Sequence, residues 1–357
     1  MALRRFAVRS VLGAIGGVSA VGVFLAEPLI DEDPHEALLD VGKRKNKRLH
    51  RTKHSFDWQG AQLSYDEYFA KESKRSKGMV VYIAPPSFVA SRAMFLDLAE
   101  SVSENFIVTE TPGYGSNGKR EIGKSQLNCE MLTDGIETML EDISKKTGSE
   151  GFLTVVASGH ASPYLCSIAE RRKDLVGQIA ILNPTMRGPF PSAQRALENK
   201  GNSVAAGIFA AARKLAWVLY QVPLFGPGMH YLANYPSNIE HQLRSHVFIG
   251  KSMINADSVK WNQALSRSGT CLPKAAFLVG KTDTPEQTFG DSLFGARDAI
   301  SACIIGSDTP SNAQTAIPLV RKAGIKVQTT KGMLRSFEEF PDVTAALLRQ
   351  SLFISDE

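Results

Sequence analysis

One segment near the middle of the chain constrains the fold more than any other. An apolar run that starts at Thr154 leads into a turn of small residues and then into a helical pattern. Gly159 and Pro163 lie two residues before and two residues after Ala161. Small residues at this spacing let the backbone pass through a sharp strand-to-helix turn. The segment therefore predicts a buried strand, a tight turn with Ala161 at its tip, and a helix.

Other strand-like segments precede this turn in a definite order. Residues 56–65 have the pattern of a hairpin, and residues 79–83 are a short apolar run typical of a buried strand. Residues 84–88 follow with two prolines, and residues 106–116 are a strand that ends in E-T-P-G-Y-G-S. From the hairpin to the C-terminus, the chain resembles the α/β-hydrolase fold superfamily, whose turn is usually D-x-P-G-x-G-x-S. Here Glu110 takes the place of the usual Asp.

The resemblance implies an α/β fold with a mainly parallel sheet, helices on both faces and a helical lid insertion. It places the α/β-hydrolase-like domain at residues 56–357 and the lid at about 185–268. Residues 1–30 then form a targeting segment or a membrane anchor, and residues 31–55 form a charged linker. A chain of 357 residues is long enough for one α/β domain with such an insertion.

The resemblance also implies a catalytic triad in the chain order nucleophile, acid, histidine. Ala161 stands at the nucleophile position, and its methyl group cannot attack a carbonyl. Asp283 matches the acid position at the end of residues 274–283, which we expect to form a strand. An alternative alignment gives the acid position to Asp308. Leu334 stands where the histidine is usual.

The base of such a triad is missing from the sequence. No histidine follows Asp283, and no other side chain relays a proton from a hydroxyl near neutral pH. Ser162 is an alternative nucleophile, but His160 and Tyr164 would then occupy flanks that require small residues. We therefore expect no catalytic residues and interpret the chain as a pseudoenzyme.

Residues near the predicted turn are candidates for lining a cleft that holds a small apolar ligand. They are Pro85, Ser87, Phe88, His160 and Ser162. The family places its oxyanion loop at residues 84–88, where backbone N–H groups approach the substrate oxygen. A proline has no N–H to donate, so this loop is a poor oxyanion site.

The first thirty residues predict a location. Residues 1–10 carry three arginines and no acid, and residues 11–26 are apolar but contain several glycines. This composition is typical of a mitochondrial or plastid targeting segment, and it also suits a secretory signal. If it is retained, the stretch from Ser10 to Ile30 is long enough for a transmembrane helix. We expect a membrane-associated organellar protein, mitochondrial rather than plastid, with a secretory or bacterial membrane-anchored protein as the alternative.

Charge and cysteine usage limit the classes of partner. The formal net charge of +5 is concentrated in a basic run from Lys43 to His54, which is a solvated linker or a contact for anionic lipid. No aromatic residues alternate with these basic ones, so we expect no nucleic-acid binding. The four cysteines lack C-x-x-C spacing and no histidine cluster lies beside them. We therefore expect buried free thiols, no metal and no cofactor.

Three functions fit these observations. The leading hypothesis is a catalytically inactive scaffold or accessory subunit of a membrane or organellar complex, with protein partners. The second is a small-molecule binding protein or sensor that uses the lidded cleft. The third is an active hydrolase with displaced catalytic groups, such as Ser162 with His160. The fold alone does not choose between them.

Overall fold

The structure of the protein is a computed structural model. It describes residues 33–39, 49–70, 79–89, 91–118, 127–148, 152–223, 225–268 and 270–352. The predicted N-terminal anchor at residues 1–30 lies outside the described residues, as do residues 43–48 of the basic run.

Eight strands of the described chain form one sheet. They are β1 Leu49–Trp58, β2 Ala61–Ala70, β3 Val80–Ala84, β4 Asn105–Glu110, β5 Leu153–Ser158, β6 Val176–Leu182, β7 Ile300–Gly306 and β8 Val327–Thr330. Their order across the sheet is β1-β2-β4-β3-β5-β6-β7-β8. Strand β2 pairs antiparallel with β1 and β4, and the other neighbours are parallel. The predicted mainly parallel sheet is confirmed.

Helices cover both faces of this sheet. The α-helices of the described residues are α1 Pro34–Leu39, α2 Leu96–Val102, α3 Cys129–Thr147, α4 Ala161–Arg171, α5 Pro189–Asn199, α6 Ser203–Tyr220, α7 Phe225–Ala233, α8 Pro236–Gln242, α9 Ala256–Arg267, α10 Cys271–Val279, α11 Glu286–Gly295, α12 Ser311–Gln314, α13 Ala316–Lys322, α14 Ser336–Glu339 and α15 Pro341–Ser351. Helices α3 and α4 share one apolar core with the sheet, and α2 and α15 share the other.

Strand β3 shows how the sequence builds two cores. Val81 and Ile83 belong to one core, and Val80 and Tyr82 belong to the other. Successive side chains of a strand point to opposite faces of the sheet. All five residues of β3 are buried, as expected for a parallel strand that is covered on both sides.

The first hairpin is longer than the sequence predicts. Strand β1 begins at Leu49 rather than at Phe56, and the turn uses Gln59 and Gly60 with φ of 48° and 78°. The predicted linker at residues 31–55 therefore contains α1 and residues 49–55 of β1. Charged residues occupy alternate positions in the first part of β1, where apolar residues would have indicated a strand, so this part was not predicted. Their ion-pair partners lie on other elements and cannot be seen in the local sequence.

The described half of the basic run is neutralised within the protein. Arg51 Nη2 lies 2.9 Å from a carboxylate oxygen of Glu36, and Lys53 Nζ lies 2.6 Å from the other. His54 Nε2 lies 2.8 Å from Glu67 Oε2. These pairs reduce the positive charge that this part of the run offers to an anionic lipid.

A helical insertion between β6 and β7, which we call the lid, runs from Pro189 to Gly295. It extends beyond the predicted end at residue 268 because it includes α10. The expectation that residues 274–283 form a strand is wrong. A short apolar run fits a strand or a buried helix, and here Gly280, with a φ of 76°, ends a helix.

A buried ion cluster fixes the turn after β4. Arg92 Nη1 donates to Asp66 Oδ2 at 2.7 Å, Arg92 Nε donates to Glu110 Oε2 at 3.0 Å, and Arg92 Nη2 donates to Ser64 Oγ at 2.8 Å. The backbone N–H groups of Arg92 and Ser116 also donate to Glu110. Glu110 therefore stabilises the turn in which the family motif usually has Asp.

Candidate functional site

The tip of the strand-to-helix turn is Gly159 and not Ala161. Strand β5 ends at Ser158, Gly159 has a φ of 54°, and α4 begins at Ala161. A left-handed φ is strained for a residue with a Cβ, so this turn favours glycine. Ala161 is instead the fully buried first residue of the helix. The predicted register is therefore wrong by two residues.

The corrected register keeps the small residues that such a turn needs. Ala157 and Ala161 lie two residues before and after Gly159. A Cβ on residue 159 would lie 3.2 Å from Pro85 Cβ and 3.6 Å from Thr185 Oγ1. A side chain at the tip would thus point between these two residues. Glycine places no nucleophile there.

Ser162 does not replace the nucleophile that is missing at the tip. Its side chain is fully buried, and its Oγ donates to the backbone oxygen of Ala157 at 3.2 Å. Ser162 therefore faces β5 and does not line a cleft. The predicted pairing of Ser162 with His160 is not formed, because the ring nitrogens of His160 face other groups.

Three polar residues surround the tip, and we call them the tip cluster: His160, Thr185 and Asp283. His160 Nδ1 and Thr185 Oγ1 lie 2.8 Å apart, within hydrogen-bond distance. Asp283 Oδ1 lies 3.5 Å from His160 Nε2, and this contact lacks hydrogen-bond geometry. Asp283 Oδ1 accepts a hydrogen bond from the backbone N–H of Gly188 at 2.7 Å. The ring of Phe277 packs edge-on against His160, with centroids 5.1 Å apart.

The tip cluster brings together a hydroxyl, an imidazole and a carboxylate. His160 and Thr185 are buried, whereas the Asp283 side chain is 20% exposed. A hydroxyl beside an imidazole can act as a nucleophile when the imidazole accepts its proton. Of these three residues, His160 and Asp283 are candidates from the sequence, and Thr185 was missed. The available signal was its place just after β6, at the carboxyl end of parallel strands, where ligands bind in open α/β folds.

The acid position of the family lies at the end of the first strand after the lid. That strand is β7, and Asp308 follows it, as the alternative alignment predicts. Asp308 is exposed, and its Oδ2 accepts a hydrogen bond from Ser307 Oγ at 2.7 Å. Asp283 follows helix α10 instead, so its assignment as a strand-end acid is wrong, although it contacts His160.

Leu334, at the predicted histidine position, lies in the loop after β8. Its backbone N–H donates to the backbone oxygen of His246 in the lid, at 3.4 Å. Its backbone oxygen accepts a hydrogen bond from Asn183 Nδ2 at 3.1 Å. The backbone of Leu334 therefore connects this loop to the lid and to the end of β6.

Asn183 joins the two positions where the acid and the histidine of the family would stand. It is buried and has a φ of 44°. Its Nδ2 donates to the backbone oxygens of Met333 and Leu334, at 3.3 and 3.1 Å. Its Oδ1 accepts from the backbone N–H of Gly306 at 2.7 Å and from Thr309 Oγ1 at 3.1 Å. One amide thus ties the end of β6 to the end of β7 and to the loop after β8.

The predicted oxyanion loop lies on the other side of the tip. Pro85 is its residue nearest the tip, and neither this proline nor the next has an N–H. Phe88 stacks on His230, with ring centroids 5.8 Å apart, and contacts Phe277 edge-on at 6.4 Å. Ser87 is partly exposed beside them. The lid therefore packs directly onto this loop.

The lid buries two nitrogen bases close to each other. Lys274 Nζ donates to the backbone oxygen of Ser266 at 2.6 Å, and His230 Nε2 lies 2.7 Å from the same oxygen. Burial lowers the pKa of Lys274 to about 7 and that of His230 to about 4. In the described part of the chain, no group of three or more His, Cys, Asp or Glu side chains is arranged to hold a metal.

An open apolar cavity of about 330 Å³ lies near the end of β7. Its lining includes Ile305, Ile317, Pro318 and Thr329. Gly159 and the tip cluster are not among its lining residues.

Comparison with known proteins gives matches at the level of structure. No family model and no curated protein sequence matches the chain. The haloalkane dehalogenase DatA from Agrobacterium tumefaciens C58 is 14% identical, with a TM-score of 0.56 over 85% of this chain and 97% of that chain. The enol-lactonase from Burkholderia xenovorans LB400 is 13% identical, with a TM-score of 0.58 over 84% of this chain and 100% of that chain. A membrane phospholipase A, called a bacterial virulence factor, is 13% identical, with a TM-score of 0.61 over 98% of both chains.

Identities this low show a shared fold and leave the activity open. The comparison agrees with the antiparallel hairpin, the parallel strands that follow it and the helical lid between β6 and β7. The chain has the α/β-hydrolase fold.

Proposed function

We propose that the protein is a catalytically inactive scaffold or accessory subunit of a membrane or organellar complex, built on the α/β-hydrolase fold. The observation that carries the proposal is the tip of the turn, where Gly159 offers no side chain to attack a substrate. Acyl transfer in this fold needs a nucleophile at that point and a base to activate it. No histidine follows His246 in the sequence, so the chain lacks the histidine that would act as this base.

The surroundings of the tip support a structural role. Asn183 satisfies backbone groups at the end of β7 and in the loop after β8, where the acid and the base of a triad would stand. A buried amide with satisfied donors and acceptors stabilises one arrangement of these loops. The prolines beside the tip supply no donor for an oxyanion.

The sequence of the N-terminus and the surface of the lid support the membrane and assembly parts of the proposal. Residues 1–30 have the composition of an organellar targeting segment or an anchor. The lid exposes large apolar side chains, among them Val204 and Ile208. Exposed apolar patches of this kind mark contact surfaces.

In its native source, the protein is expected in the membrane fraction, and carbonate washing should not release it if residues 10–30 are retained. After gentle solubilisation, it should elute as a particle larger than one chain, together with defined protein partners. Deletion of residues 1–30 is the matched variant, and carbonate washing should then release the protein from the membrane. A native protein that is soluble and monomeric would contradict both the membrane part and the scaffold part.

The tip cluster favours a second candidate, an active hydrolase with displaced groups. Thr185 Oγ1 lies 3.6 Å from the point that a Cβ of residue 159 would occupy, and 2.8 Å from His160 Nδ1. In such an enzyme Thr185 would attack the substrate, His160 would accept its proton, and Asp283 would orient the imidazole. The 3.5 Å contact between Asp283 and His160 and the lack of donors at Pro85 weigh against it.

A fluorophosphonate probe, which labels activated hydroxyls, separates the two candidates. We expect the folded protein to show no labelling above a heat-denatured sample, whereas an active serine esterase labels fully under the same conditions. Thr185→Val is the matched control, because valine keeps the shape of threonine and removes the hydroxyl. Labelling that disappears in Thr185→Val would replace the proposed function by the displaced hydrolase. Labelling that persists would also contradict inactivity and would point to another hydroxyl such as Ser87.

A further inference from the structure

Helix α6 of the lid has an apolar face that the rest of the described protein leaves uncovered. Val204, Ile208, Leu215 and Val218 are 74%, 68%, 58% and 57% exposed. Among the described residues, α6 is the one helix that is long and apolar enough to cross a membrane, judged by length and composition.

The exposed residues lie on one side of α6. Ile208, Leu215 and Val218 follow Val204 by 4, 11 and 14 residues, and these spacings place them within one narrow sector of a helix with 3.6 residues per turn. The opposite side of α6 is buried in the lid, where Ala206 and Tyr220 lie. A helix on the surface of a soluble domain carries polar residues on its outer side. Helix α6 has apolar residues on both sides.

Apolar exposure continues along the chain beyond α6, into the next turn and helix. Val222 and Tyr235 are 44% and 56% exposed, and Phe225 and Leu232 are just over one-third exposed. We call this set the outer lid face, and its members are Val204, Ile208, Leu215, Val218, Val222, Phe225, Leu232 and Tyr235. Large apolar side chains that are exposed in such numbers mark protein or membrane contact sites.

The charge of this region discriminates between those two kinds of partner. No Asp or Glu occurs between Glu198 and Glu240, whereas Lys200, Arg213 and Lys214 lie in that stretch. None of these three cations has an ion-pair partner within the described residues. A helical protein partner is usually matched by charges of both signs beside the apolar seam. A surface with cations alone matches anionic lipid headgroups.

Lys214 is placed to reach such headgroups while the apolar side chains enter the lipid. It lies one residue before Leu215 and is exposed at the margin of the outer lid face. A lysine in this position can extend its ammonium group to the membrane surface and keep its stem along apolar neighbours. Interfacial helices combine these two features.

We infer that the outer lid face binds an anionic membrane, with α6 lying in the plane of the interface. Ala206 and Tyr220 remain packed in the lid, so the helix lies on the membrane and does not span it. The inference rests on the membrane part of the proposed function and adds a second contact, separate from residues 1–30. That second contact would orient the domain with its lid towards the lipid.

Hydrogen exchange of the full chain tests this contact directly. Vesicles of phosphatidylcholine with phosphatidylglycerol are expected to slow amide exchange in residues 203–235 several-fold, and vesicles of phosphatidylcholine alone should have a smaller effect. Added salt should weaken the protection, because it screens charges at the surface. Unchanged exchange in this region, in a protein that still sediments with the vesicles, would overturn the inference and leave the proposed function intact.

A pair of full-chain variants gives the second test. Ile208→Asp with Leu215→Asp is expected to weaken the lid protection by anionic vesicles at least about tenfold, since two aliphatic side chains no longer enter the lipid. Both sites are exposed, so the unfolding temperature should change little. Val343→Asp, at an exposed apolar site on α15, is the matched control and should bind like the native chain.

Two further outcomes would overturn the inference. Equal vesicle-induced protection of residues 203–235 in the double variant and the control would show that the outer lid face does not touch lipid. Protection of residues 203–235 that grows with protein concentration in the absence of vesicles would assign the face to a second copy of this chain. Fluorophosphonate labelling tests the proposed function in a separate experiment. Contact of the outer lid face with lipid does not affect that labelling.

Discussion

Replacement of Arg92 by alanine is expected to lower the free energy of unfolding by about 3–5 kcal/mol. Arg92, Asp66 and Glu110 are all fully buried, and Arg92 contacts both carboxylates. Removal of the guanidinium group would leave two buried carboxylates without this shared partner. Denaturant unfolding of the full chain, followed by circular dichroism, measures the loss.

Two further arginine variants make this expectation specific. Arg92→Lys keeps one charge but lacks the planar set of donors, so it should fall between the native chain and Arg92→Ala. Arg171→Ala removes an exposed ion pair with Glu137 and should cost less than about 1 kcal/mol. If Arg92→Ala cost no more than Arg171→Ala, the cluster would not stabilise the fold as argued.

The ion cluster gives a structural role to the turn after β4, which resembles the D-x-P-G-x-G-x-S turn of the family. Glu110 accepts hydrogen bonds from backbone and side-chain groups of Arg92, and His35 Nδ1 lies 3.9 Å from its Oε1. His35 Nε2 lies 2.7 Å from Ser268 Oγ, so the cluster reaches from α1 to the lid. Burial lowers the pKa of His35 below its ordinary value, which favours the neutral ring.

The elements that could be predicted from sequence are those with an unambiguous local pattern. Strand β3 is a continuous apolar run, and β5 is an apolar run before a turn of small residues, so both were placed correctly. Together with the other motifs they carried the resemblance that implied a mainly parallel sheet with a helical lid insertion. The apolar segment that begins at Lys274 fits a strand as well as a buried helix, and in the structure it belongs to helix α10 of the lid.

The site was harder to predict because its register depends on backbone conformation. Small residues occur at Ala157, Gly159, Ala161 and Pro163, so the spacing rule fits the tip at either of the middle two positions. The positive φ of Gly159 decides between them, and that sign is not visible in composition or periodicity. The conclusion that the tip lacks a nucleophile holds in both registers. Thr185 was missed because its partner His160 is 25 residues away and on another element.

Replacement of Asn183 by alanine is expected to lower the unfolding free energy by at least about 3 kcal/mol. Alanine would leave the Gly306 N–H and the backbone oxygens of Met333 and Leu334 without this partner, and each unpaired buried group costs about 1–3 kcal/mol. Alanine also tolerates the φ of 44° less well than asparagine, whose polar side chain can hydrogen-bond locally, and this adds about 1 kcal/mol. Unfolding measurements give the total, and hydrogen exchange in residues 332–337 shows whether the loop after β8 loosens.

Companion variants at this position separate the hydrogen bonds from the backbone strain. Asn183→Gly removes the side chain but relieves the positive φ, so it should be less damaging than alanine. Asn183→Asp keeps an acceptor for Gly306 but turns a carboxylate oxygen towards the oxygens of Met333 and Leu334, and it should be at least as damaging as alanine. Asn238→Ala, which removes an exposed amide, is the matched control and should cost less than about 0.5 kcal/mol.

These variants also bear on the proposed loss of hydrolase chemistry. An active member of this fold needs the end of β7 and the loop after β8 to present an acid and a base. Here a neutral amide holds these two segments together through their backbone groups. If Asn183→Ala left both the unfolding free energy and the loop exchange unchanged, the amide would not be what holds these loops. The proposed structural role of this region would then lose its support, and the tip cluster would gain weight as a displaced active site.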